Sequence, residues 1–114
     1  MTASIALTKY IDELLFSTAE LKNISTGDKP LTPEDGTAVY RLRKVEESAR
    51  IVNAIYEVMD RLTDEKKRFI QEHYWGNTKQ SLSVSAERVN ADLRTIKHWK
   101  KEVNLLIARR LGWL

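Results

Sequence analysis

The chain contains no cysteine, so disulfides, thiolate metal sites and a cysteine nucleophile are excluded, and a reducing compartment is compatible with it. Only four Gly and two Pro occur in 114 residues, which leaves few turns and favours long helices. No apolar run approaches the roughly 20 residues of a membrane span. The opening segment MTASIALTKYIDE places polar and acidic residues where a signal peptide needs an uninterrupted apolar stretch. The expectation is a soluble, intracellular, cytoplasmic protein without membrane association. With 42% apolar and 31% charged residues the composition is globular rather than disordered. The length suits one domain, or a small domain with an accessory element.

Acidic charge is scarce in one half. Residues 1–60 carry seven Lys/Arg against ten Asp/Glu, whereas residues 61–114 carry twelve against six, within an overall net charge of +3. This asymmetry fits a C-terminal half that meets a polyanion. Catalytic patterns are also missing. His73 and His98 have no i, i+4 partner or carboxylate cluster, no Gly-rich phosphate loop precedes a helix, and no spacing suggests a Ser/His/Asp set. The reading is therefore no enzyme, no metal and no cofactor.

What is present is helical periodicity. Leu7, Ile11, Leu14, Leu15, Leu21 and Ile24 recur at three- and four-residue steps, predicting an amphipathic helix from about Ala3 to Ile24. Ser25 to Pro33 reads as a loop. Thr32 then caps a long helix from Pro33 to about Leu62, with Pro33 at N1, Glu34 and Asp35 in the first turn, and Gly36 as a weak point. Ala38, Leu42, Val45, Ala49, Val52, Tyr56 and Met59 alternate four- and three-residue steps, and Ile51, Ile55, Val58 and Leu62 form a second row beside them. One partner helix would not cover both rows. They predict an antiparallel hairpin with the first helix, packing on the C-terminal unit, and leave open a homodimer seam along one row.

Thr63 caps a third helix, with Asp64 and Glu65 in its first turn and Gly76-Asn77 at its end. A short helix follows from Ser81 to Asn90, with Leu82, Ala86 and Val89 on one face. Asn90 and Ala91 make the turn, Asn90 taking the left-handed conformation, and Asp92 caps the last helix. From Leu93 to about Leu111, Ile96, Trp99, Val103, Leu106 and Ile107 share the side to be buried. Arg94, Lys97, His98 and Lys101 project oppositely from the first turns, as donors in a recognition helix do. Leu105 falls on the same side. Arg109 and Arg110 suit the negative end of the helix dipole, and Gly112 lets Trp113 and Leu114 fold back on the core.

Tyr74-Trp75, Ser81-Leu82, Ala86, Thr95-Ile96, Trp99 and Leu111-Gly112-Trp113 together resemble the phage late-gene transcriptional activators of the RinA and ArpU type, whose C-terminal part is similar to region 4 of σ70-type factors. The resemblance covers residues 62–114; residues 1–61 match only in helicity and extent. It implies an all-α fold: an N-terminal helical hairpin (1–61) for packing or oligomerisation, then a σ70 region 4-like helix-turn-helix (62–114). Asn90 replaces the expected turn Gly, Asp92 the expected Ser and Ser85 an expected aliphatic residue, for which Val84 would supply the apolar contact. The function expected is a sequence-specific phage or prophage regulator in the bacterial cytoplasm, an activator of packaging or lysis genes. Arg94, Thr95, Lys97, His98 and Lys101 would be its DNA-binding residues. Double-stranded DNA, RNA polymerase and a second copy are the expected partners. A small terminase-like packaging protein and a region 4-like protein-interaction module are the alternatives.

Overall fold

A computed structural model describes residues 5–27, 31, 32, 34, 36–76 and 80–113. Among these residues every regular element is helical: α1 (Ile5–Phe16), α2 (Thr18–Thr26), α3 (Ala38–Arg61), α4 (Asp64–Tyr74), α5 (Leu82–Arg88) and α6 (Leu93–Arg110). No helix among them is long and apolar enough to cross a membrane. The roles expected of Pro33, Asp35, Asn77 and Leu114 lie outside the described residues.

The single first helix of the sequence reading is two helices. Thr18 is buried, and its hydroxyl donates to the carbonyls of Leu14 and Leu15 at 3.2 and 2.8 Å. Such back-bonding competes with the backbone ladder and bends helices. The chain accordingly breaks at Ser17, and α2 then continues past Ile24 to Thr26. The start of α3 is also corrected. Gly36 has φ +120, outside helical space, and a Cβ there would come within 2.8 Å of the Tyr40 ring. Thr37, not Thr32, is the cap, its hydroxyl accepting from the Tyr40 amide at 3.2 Å.

The core settles which row of α3 faces inward. Ile51, Ile55, Val58 and Leu62 are all buried, whereas of the other row only Val52 and Met59 are; Val45 and Ala49 are half-buried and Ala38, Leu42 and Tyr56 exposed. α2 packs along α3, while α1 lies against α6. One apolar cluster joins Ile11 and Leu15 of α1, Ile55 of α3, Phe69 and Ile70 of α4, and Ile96, Val103 and Ile107 of α6. It crosses the chain position between residues 61 and 62 without interruption. The fully buried side chains among these contribute roughly 1.5–3 kcal/mol each relative to exposure.

Polar ties fix how α1 meets the C-terminal helices. The Asp12 carboxylate accepts from the Tyr74 hydroxyl at 2.7 Å and from Asn104 Nδ2 at 3.1 Å, and pairs with Lys100 Nζ at 2.9 Å. The Trp75 indole donates to the Leu15 carbonyl at 3.1 Å. Burial, then the charge and hydrogen bond of Asp12, push the Tyr74 hydroxyl well above the usual tyrosine range. The folded state therefore holds this proton more tightly than the unfolded chain. Its contribution is complete below the ordinary tyrosine pKa of about 10 and declines as pH rises beyond that value. Tyr74→Phe should cost about 1 kcal/mol at neutral pH, and the deficit relative to the parent should shrink above a pH of about 10. Urea denaturation at neutral and alkaline pH measures it; a constant deficit would contradict the linkage.

Candidate nucleic-acid interface

The three C-terminal helices begin and end with local devices written in the sequence. Thr63 and Ser81 cap α4 and α5, their hydroxyls accepting from the amides of Lys66 and Val84 at 3.5 and 3.3 Å. Asn90 has φ 55. Its amide donates to the Glu87 carbonyl and that of Ala91 to the Ala86 carbonyl, at 3.1 and 3.0 Å, the paired bonds of a Schellman motif. Gly112 (φ 80) repeats the arrangement after α6, where the Trp113 amide meets the Ala108 carbonyl at 2.8 Å. Asp92 stands at the N-cap of α6 but makes no side-chain cap bond, a correction to its expected role.

Ser85 departs most from expectation. It is 0% exposed, whereas Val84 is 39% exposed and supplies no replacement contact. The Ser85 hydroxyl lies 2.8 Å from His73 Nδ1 and accepts from Gln80 Nε2 at 2.8 Å. The His73 ring stacks on Phe69 at 5.5 Å and meets Phe16 and Tyr74 at 5.8 and 4.7 Å. A hydroxyl serves here because the position closes a polar triangle between α4, α5 and the segment joining them. This Ser/His contact was not visible in any spacing. Both side chains are buried, and the contact ties α4 to α5.

On α6 the buried side holds Ile96, Val103 and Ile107 as expected, with Trp99 and Leu106 half-buried, and extends to Asn104 and Ala108. Arg94, Lys97, His98 and Lys101 are exposed together on the opposite side of the first turns, and no hydrogen bond or ion pair engages them among the described residues. Three other cations of this region are paired internally. Lys100 pairs with Asp12, Lys66 with Glu102 at 2.9 Å, and Arg88 with Glu72 at 3.0 Å. Thr95 stands apart from the other four. It is half-buried in a cleft of about 720 Å³ that it shares with Trp99, Arg68, Asn90 and the carboxylates of Glu65, Glu87 and Asp92.

Farther along α6, Leu105 is half-buried. Arg110 is tied to Glu57 of α3, and that hydrogen bond, with the charge of the guanidinium, holds the Glu57 carboxyl below the usual range. Arg50 donates to the Leu111 carbonyl at 3.0 Å, capping the end of α6 from α3. No group of three or more potential metal ligands occurs among the described residues. Comparison with protein-family models, with curated proteins and with solved structures gives no match.

Ser85→Ala removes the hydroxyl that meets His73 Nδ1 and Gln80 Nε2 without adding bulk at this buried position, and leaves Gln80 Nε2 its bond to the Glu72 carbonyl at 3.3 Å. It should destabilise the fold by roughly 1–3 kcal/mol, read as a lower urea midpoint. A midpoint equal to the parent's would show that the triangle contributes nothing.

Proposed function

We propose that this chain is a sequence-specific DNA-binding regulator that lays the first turns of α6 in the major groove. The observation that carries the reading is the strip Arg94, Lys97, His98 and Lys101, exposed and without a partner among the described residues, while Lys66, Arg88 and Lys100 are paired internally. Leaving cations unpartnered on one rigid helix face gives no folding advantage. It suits a surface that meets phosphates and base edges. Arg94, nearest the start of α6, is assigned to base edges, where a bidentate contact to guanine contributes about 1–3 kcal/mol of discrimination. Lys97, His98 and Lys101 follow the groove wall. Thr95, turned into the acidic cleft, is assigned a supporting position beside Trp99.

The resemblance of residues 62–114 to the phage late-gene activators supports a regulator acting in a bacterial host. Activation of late genes, contact with RNA polymerase and presentation as a homodimer belong to the same proposal.

Fluorescence anisotropy with a promoter-derived duplex library tests the DNA reading. Affinity should fall with salt at a log–log slope of about −0.9 per phosphate neutralised. Arg94→Ala should relax sequence preference, whereas Lys101→Ala should weaken binding to all duplexes alike and make the salt slope shallower by about 1. Parent-like binding by both variants, or no salt-dependent binding by the parent, would remove this assignment.

A further inference from the structure

A cleft lies between α3 and α6. Glu57, Val58 and Arg61 line it from one turn of α3, and Leu106, Arg109 and Arg110 from one turn of α6, around a volume of about 340 Å³. Val58 is buried and Leu106 half-buried, so two aliphatic side chains supply the apolar part of the lining. The charged part is unequal. Arg110 is bonded to Glu57, and that hydrogen bond, with the charges of Arg110 and Arg61, holds the Glu57 carboxyl below the usual range. Arg61 and Arg109 are exposed and have no hydrogen bond or ion pair among the described residues. We propose that this cleft binds a small organic carboxylate, its apolar body against Val58 and Leu106 and its carboxylate held by the Arg61 and Arg109 guanidinium groups.

Three features select that chemistry. The volume lies at the lower end of the range for small-molecule sites, about 300–1,000 Å³, and such sites join an apolar wall to a few placed polar groups. Three guanidinium groups share the lining with one carboxylate. Once the Glu57–Arg110 pair is set aside, the cleft carries uncompensated positive charge and favours an anion. The guanidinium fork also matches a planar carboxylate through two parallel hydrogen bonds. A bare inorganic anion would leave Val58 and Leu106 uncovered, and an apolar cation would meet like charge. The cleft uses the end of α6 and none of Arg94, Lys97, His98 or Lys101, so the proposal goes beyond the DNA reading and is independent of it.

Octanoate and benzoate are suitable probes, titrated into the isotope-labelled full chain and followed by amide chemical shifts. Octanoate, benzoate or both should give saturable shifts at Val58, Arg61, Leu106 and Arg109. Octanol and octylamine keep the chain without the anion, and inorganic phosphate keeps an anion without the chain; none of the three should saturate these positions. Arg61→Gln and Arg109→Gln, both at exposed positions, should each weaken binding of the acid about tenfold. Their melting by circular dichroism should match that of the parent. No saturable shift with either acid, equal binding of octanol or octylamine, saturation of the same residues by phosphate, or parental affinity in both variants would each overturn the proposal. Saturation by an acid in a chain that binds no duplex would count against the DNA reading alone.

Discussion

The carboxylate of Asp12 holds three parts of the molecule in one arrangement. It accepts from Tyr74 of α4 and Asn104 of α6 and neutralises Lys100 of α6. Lys100 and Asn104 are one helical turn apart, so a single α1 residue fixes the rotation of α6 about its own axis. With that rotation set, Lys100 is drawn inward and Lys97, His98 and Lys101 are left outward. The same ring of bonds explains why an acidic residue is tolerated on the inner side of α1: removing it would strand the Tyr74 hydroxyl and an ammonium, leaving each without its partner.

The second constraint is the closure between α4, α5 and α6. α5 has only seven residues, too few to be stable alone. It is held at its start by Ser81, at its end by the Schellman bonds around Asn90, and in its middle by Ser85 against His73 and Gln80. These contacts are directional, unlike apolar packing, and so determine the angle at which α6 leaves the turn. The outward cations of α6 thus stand on a support fixed at several points, which is what a rigid recognition surface needs.

Local chemistry was legible in the sequence, and long-range polar chemistry was not. The caps Thr63 and Ser81, the left-handed Asn90 and the buried side of α6 follow from residue type and helical period. The break at Ser17 escaped the pattern because apolar spacing continues through it; it arises from the Thr18 hydroxyl turning back on the ladder. The start of α3 was misplaced because Thr32-Pro33 reads as a helix start and Gly36 only as a weak point within the helix, whereas the φ of Gly36 is outside helical space and Thr37 supplies the cap. Ser85 looked like a packing defect because its partner His73 belongs to another helix. The Asp12 bonds span 62 and 92 residues, a separation at which no periodicity carries information. At the candidate interface, solvent exposure of Arg94, Lys97, His98 and Lys101 could be read from helical angle. That Lys100 is neutralised and Thr95 faces a cleft could not.

The molecule presents two different surfaces: at the start of α6, cations without a partner among the described residues, and along α3 the exposed Leu42 and Tyr56. The first carries the central claim. Amide chemical-shift mapping of the labelled protein during titration with a duplex tests it most directly. The account predicts that shifts concentrate on Leu93 to Lys101 and fade with added salt, leaving the outward face of α3 unchanged. Shifts absent from α6, or confined to α3, would contradict it.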